Sequence, residues 1–430
     1  MQRLVQDNSP DAMENRDYTT KSETDRVFSV FQTFNKDAED IKSSSANNTE
    51  NPSDPVLTMS SLGQLGRFGN QLFQYAFLRI CAQKSGARVE SPPWIGQTLF
   101  GHKDPPITYR LPPAIEHREN RESLFDVIPE FIPYLEKLAD AKSSRVGEKA
   151  LEQGLANVDL WGFFQVQTRF LQPHKEFFRS LFQPVSDLKP ALEDGFNLLR
   201  SKGKTLIGIH IRRGDFITVP YAGFTFVVPS KWWCDWLNRI WDELESPVLF
   251  LCSDELHSII HDFEKFSPVT SRDLSVKLPE GMKDLNIEFY IDFFMLSKCD
   301  VVGTSNSIFS FTACMLNERG KMFVRPHWDF STKFTVFNPW NSEPLLYVGG
   351  ESPKFSKSFR DVVYVTYVTQ GISGLVKCLC LYIPKSICKK LGIRTYLGYQ
   401  TEGVIGVIKS FLYTLGWRSI WKKPALFSSK

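Results

Sequence analysis

The segment His210-Ile211-Arg212-Arg213-Gly214-Asp215 carries the residue types best suited to chemistry in this chain. It closes a continuous apolar run, Thr205–Ile211, which predicts a buried strand with polar residues at its carboxyl end. Open α/β sheets bind ligands at such strand ends. A guanidinium there offers a planar fork that matches a diphosphate and keeps its charge at any working pH. Gly214 permits a tight reversal, and Asp215 is placed to hold one of the arginines. Two arginines alone read equally well as a solvated basic turn.

Other polar groups sit at further strand-to-helix junctions. Gly63, Gly66 and Gly69 form a G-x-x-G-x-x-G turn, with Arg67 inside it and Asn70 placed to cap a helix running to about Lys84. Backbone N–H groups at such a helix start can receive phosphate, and a plain tight turn explains the glycines as well. The spacing matches neither the dinucleotide nor the P-loop pattern. Asn306 and Ser307, within Thr304-Ser305-Asn306-Ser307, either cap the helix that follows or share donors with a ligand phosphate. Ser253-Asp254-Glu255 reads as one more N-cap. Asp292 stands beside Phe293, Phe294 and Leu296 on an apolar helix face, so it needs a donor, from the protein or from a ligand group such as a guanine amine.

Some chemistries have no support. Between Val56 and Gly350 there is no D-x-D pair to hold a metal–diphosphate, no H-E-x-x-H zinc motif and no G-x-S-x-G elbow. What is left is a site that handles a diphosphate with arginine and helix N-termini, without a metal or cofactor.

The elements that must position these groups alternate. Expected strands at Ala87–Ser91, Trp161–Phe164, Thr205–Ile211, Val248–Cys252, Val301–Gly303 and Met322–Val324 are interleaved with expected helices. The clearest helices are Lys231–Leu244, Leu256–Phe266, Asn286–Lys298 and Phe309–Asn317. That pattern predicts parallel sheets covered on both faces. Residues 92–160 hold three Pro-Pro pairs and read as loop-rich. The chain of 430 residues, 42% hydrophobic and 23% charged, has globular composition and length for several domains. The net charge of +3 speaks against nucleic acid as partner, but it is unevenly spread. Residues 1–55 carry 6 basic against 11 acidic residues and read as a disordered tail. Residues 351–430 carry 13 basic against 3 acidic residues, with apolar stretches and Trp417 and Trp421 between them. This basic amphipathic tail suits docking on an anionic membrane surface, or packing on the globular body. Eight cysteines without a C-x-x-C pair read as reduced, mostly buried thiols. With no apolar segment after Met1–Asp7, neither a secretory signal nor an N-terminal anchor is expected, and the setting is cytoplasmic or peripheral to a membrane.

Taken in order, these segments resemble the alpha-1,2-fucosyltransferases. Gly66-Arg67-Phe68-Gly69-Asn70-Gln71-Leu72-Phe73-Gln74-Tyr75-Ala76 is similar to their N-terminal signature, and His210–Asp215 to their nucleotide-sugar motif. Pro229–Trp233, Ser253-Asp254-Glu255, Asp292–Leu316 and Pro326-His327-Trp328 follow in family order. The resemblance covers roughly residues 57–330. It implies a GT-B-like α/β fold of two Rossmann-like domains facing a cleft: residues 56–200 on the acceptor side and 201–350 holding the nucleotide sugar. It implies an inverting, metal-independent transfer of L-fucose from GDP-fucose to the 2-OH of a terminal galactoside in a glycan. Arg212 is then the catalytic group at the diphosphate, with His210 and Asp292 at the guanosine and Asn306 and Ser307 near the phosphates. Arg213, Asp215, Gly66, Arg67, Gly69 and Asn70 complete the expected donor site. Ile308 stands where the family carries a hydroxyl, and Phe311 and Thr312 hold the aromatic places. A different nucleotide sugar, or a binding module without catalysis, therefore stays an alternative.

Overall fold

The computed structural model describes residues 54–118, 143–214, 216, 227–327 and 334–346. Both expected tails lie outside the described residues, apart from the few residues before β1. In chain order the first elements are β1 (Val56–Thr58), α1 (Phe68–Ser85), β2 (Arg88–Glu90), α2 (Ile95–Phe100), β3 (Pro113–Glu116), β4 (Ser144–Val146) and β5 (Val158–Trp161). Two helices, α3 (Lys175–Leu181) and α4 (Lys189–Ser201), lead to β6 (Thr205–Ile211), α5 (Ser230–Ile240) and β7 (Pro247–Ser253). The last elements are α6 (Glu288–Leu296), β8 (Val301–Thr304), α7 (Ile308–Leu316), β9 (Met322–Pro326) and β10 (Phe334–Val336).

These strands make two five-stranded sheets, ordered β2-β1-β5-β3-β4 and β10-β9-β8-β6-β7. All described pairings are parallel except β9 with β10. This is the expected pair of Rossmann-like α/β units. The strand order reverses between β6 and β8 in the second sheet, and between β1 and β5 in the first, where β5 returns to lie between β1 and β3. Loops leaving the strand ends on either side of a reversal part to opposite faces, which opens a crevice there.

β6 keeps the limits expected from its apolar run because Leu206 through Ile211 are all buried in a sheet covered on both faces. In α1, Leu72 through Leu78 are buried in unbroken succession, and Gly86, at φ +70°, ends the helix in a left-handed turn. One core joins the two units: Phe73 of α1 lies 6.3 Å from Phe178 of α3 and 6.4 Å from Phe311 of α7.

Several expected boundaries change. α1 begins at Phe68, with Arg67 in the capping position, so Asn70 is not the cap but lies in the first turn. Gly66, at φ +69°, turns the chain early enough for that. The strand expected at Trp161–Phe164 is instead Val158–Trp161, because Gly162 and Phe164 adopt positive φ and break the extended backbone. Leu256–Phe266 is two 3₁₀ segments, Leu256–Ser258 and Ile260–Phe266. The loop-rich region supplies β3 and β4, too short to show a pattern. A boundary at residue 200 puts α4 with the first domain, yet α4 packs on the second: a Cβ at Gly195 would lie 2.5 Å from Val276, and Arg200 pairs with Asp300 at 2.8 Å. Conversely, the segment after β10 returns to the first unit. Trp340 meets Phe178 edge-on at 5.4 Å, and the Ser342 N–H donates to Thr168 Oγ1 at 2.9 Å.

Candidate active site

The reversal between β6 and β8 brings the arginine turn against the loop that opens α7. Ser305 joins them. Its hydroxyl donates to the His210 carbonyl at 2.8 Å and accepts the Arg212 N–H at 2.9 Å. Asp254, just past β7, holds the turn from the other side. One carboxylate oxygen pairs with the Arg212 guanidinium, and the other accepts the Arg213 N–H at 2.8 Å. A Cβ at Gly214 would fall 2.4 Å from that carboxylate, and the residue sits at φ +27°, so glycine is required on both counts. Asp254 is thus an arginine partner rather than the expected N-cap. Asp215, expected in that role, lies outside the described residues. Register explains the substitution: β6 and β7 are parallel with Ile211 opposite Ser253, so the residues just past each strand end meet. Arg213 Nε lies 3.8 Å from Glu255, and the Arg212 guanidinium lies over the Phe216 ring at 5.1 Å.

His210 is 5% exposed, and its Nδ1 has no partner among the described residues. Burial, then the charge of Arg212, pushes the imidazole down to about 3, so the ring is neutral near pH 7. A neutral ring presents one donor and one acceptor. On α6, Asp292 Oδ1 is sealed from water and has no partner among the described residues. Burial raises this carboxyl to about 6, against a Ser271 hydrogen bond and the Arg272 charge. Two orphaned polar atoms in one unit are costly unless a ligand meets them.

The glycine turn and the start of α7 also come together. A Cβ at Gly69 would lie 2.7 Å from the backbone of both Ile308 and Phe309, so the N-termini of α1 and α7 touch where only glycine fits. Phe309 lies 5.0 Å from the His210 ring and 6.4 Å from Phe68. Gly69 therefore meets the start of α7 just after Ser307, Phe309 links that start to His210, and Arg67 beside Phe68 is exposed. Two helix N-termini and a fixed guanidinium concentrate positive potential there. Asn306 serves differently from its expected phosphate contact. Its amide donates to the Leu346 carbonyl at 2.9 Å and accepts the Leu346 N–H at 2.7 Å, tying down the returning segment. Ser307 occupies the capping position of α7 without a side-chain capping bond.

Beneath the glycine turn, at the β1/β5 reversal, is a polar set that no local motif announced. Gln165 Nε2 donates to Asn70 Oδ1. Gln74 Nε2 donates to the Gly162 carbonyl at 3.0 Å. Glu116 and Arg118, 1% and 2% exposed, pair at 3.3 Å. Arg118 donates to the Gln165 carbonyl, and Glu116 accepts the Phe163 N–H at 2.8 Å. Among the described residues no three His, Cys, Asp or Glu side chains converge as metal ligands. His257 and His261, four residues apart, are exposed on separate 3₁₀ segments.

No curated protein matches this chain. Among solved structures it is similar to the fucosyltransferase NodZ from Bradyrhizobium, at 15% identity and TM-score 0.41, over 66% of this chain and 99% of that one. It is also similar to a mutant of Arabidopsis thaliana FUT1 in complex with GDP, at 11% identity and TM-score 0.38, over 77% of this chain and 84% of that one. These values are too low to carry an argument about activity. The sequence model for glycosyl transferase family 11, however, matches residues 33–337, a span that takes in both sheets, the glycine turn and the arginine turn, and the chain belongs to that family.

Proposed function

We propose that this glycosyltransferase moves L-fucose from GDP-fucose to the 2-OH of a terminal galactoside in a glycan, with inversion and without a metal. The observation that carries this reading is Arg212, held by Asp254 and Ser305 at the β6/β8 reversal beside the two helix N-termini. As the acceptor hydroxyl attacks the anomeric carbon and gives up its proton to a base or to water, the bond to the diphosphate breaks and GDP leaves with the electron pair. The charge that builds on the diphosphate meets a fixed cation, where stabilisation is worth most. Neutral His210 and the carboxylate of Asp292 offer an orphaned ring nitrogen and an acceptor to guanosine. Arg213, Arg67, Gly66, Gly69, Asn70 and Ser307 line the donor side, and Asn306 supports them through Leu346.

Ile308 favours a second reading, a different nucleotide sugar, because a buried apolar residue stands where the resemblance expects a hydroxyl. A binding module without catalysis is disfavoured by the care with which Arg212 is held. The test is a donor screen across GDP- and UDP-sugars with a β-galactoside acceptor, reading released nucleotide. Turnover with GDP-fucose alone supports the proposal. Turnover with another donor, or tight GDP-fucose binding without turnover, replaces it.

A further inference from the structure

The polar set at the β1/β5 reversal is not explained by packing. Gln165 is 2% exposed, yet its Oε1 has no partner among the described residues, and Gln74 Oε1, fully buried, has none either. An amide oxygen buried without a partner destabilises the fold unless something meets it. The backbone of Gln165 is fixed by Arg118, which is itself held by Glu116. Among the described residues its side chain then has one hydrogen-bond partner, the amide of Asn70.

We infer that Gln165 is a positioning residue that sets which end of the Asn70 amide faces a sugar hydroxyl at the junction of the two units. The inference rests on the glycosyltransferase reading of this site and deepens it. Two facing amides share one hydrogen bond, so one must donate and the other accept. Here Gln165 donates to Asn70 Oδ1, and the Asn70 Nδ2 group turns toward the glycine turn, where a Cβ at Gly66 would meet it at 2.3 Å. Asn70 is half-buried, and its neighbour Gly69 abuts the start of α7. Its NH2 is thus a donor at the glycine turn, beside the start of α7, and a residue 95 positions away sets which side of the amide it occupies. A sugar hydroxyl, which accepts as readily as it donates, is the ligand chemistry that such a group fits. The hydroxyl belongs to the transferred sugar or to the acceptor.

Polarity separates this role from simple packing. Gln165→Glu still bonds Asn70 but must accept, which turns Asn70 Oδ1 outward; Gln165→Met keeps the volume and removes the bond. Asn70→Asp keeps the bond from Gln165 while replacing the outward donor by an oxygen. Each variant is expected to lower kcat/KM about tenfold or more in protein that remains folded at the assay temperature, and Gln165→Met should cost less than about twofold further in Asn70→Ala. The assay uses whichever sugar nucleotide the wild-type chain turns over. Hydrolysis of that donor without acceptor is measured in parallel: a matching loss assigns the hydroxyl to the transferred sugar, and a loss confined to transfer assigns it to the acceptor. Wild-type rates in Asn70→Asp or Gln165→Glu, or losses that add in the double variant, overturn the inference alone. A wild-type chain that turns over no sugar nucleotide overturns the reading beneath it as well.

Discussion

Replacing Gly69 by alanine tests the contact on which the site depends. A Cβ there would lie 2.7 Å from Ile308 C and Phe309 N and 2.9 Å from Ile308 O, all of them backbone atoms that cannot rotate away. Ordinary contact begins near 3.4 Å, so α1 and α7 must part by roughly 0.7 Å. Overpacking of this kind costs about 1–3 kcal/mol. Alanine in a helix returns up to about 1 kcal/mol relative to glycine, and less in a first turn. The balance is a loss of about 1–2 kcal/mol, read as a lowered midpoint in urea or heat. Parting the two helix starts also shifts Ser307 and the loop that holds the arginine turn through Ser305, so kcat/KM for the donor should fall about tenfold or more. Gly281→Ala, where nothing lies within 4 Å, is the control: it should lose no stability and leave donor kcat/KM unchanged. A Gly69→Ala protein as stable as the wild type, with unchanged donor kcat/KM, would refute the close crossing and the site built on it.

Arg212→Lys should lower kcat by several orders of magnitude in a folded protein, since one charge remains but the planar fork is lost; steady-state kinetics decide. Activity should survive EDTA, and a strict dependence restored by manganese or magnesium would count against the arginine-based diphosphate site. Asp292, raised to about 6, should make donor affinity weaken as pH falls through 6, and Asp292→Asn should abolish that acid limb in a GDP-binding titration. Stability has the opposite sign: because the folded carboxyl binds its proton more tightly, native stability should decline as pH rises from about 4 to about 6, and Asp292→Asn should flatten it. The basic segment 351–430 should carry the 430-residue chain onto anionic but not neutral liposomes at low salt, while a chain ending near Gly350 stays in the supernatant.

The chain by itself determined the elements that bury apolar residues continuously. Thr205–Ile211 was legible to the residue, and Phe309–Asn317 was displaced by one position, because burial on both faces writes an apolar run into consecutive residues. The glycines at 66 and 69 and the arginine turn were legible as motifs too. Their partners were not. Asp254 reaches Arg212 across 42 residues, Gln165 reaches Asn70 across 95, and Leu346 occupies Asn306 across 40. Asp254 looked like a cap, and Gln165, Glu116 and Arg118 looked like nothing in particular. Burial is a property of a few neighbouring residues and leaves a local pattern. The partner of a polar group is decided by the register of parallel strands and the crossing of two helices, so only the tertiary structure chose it.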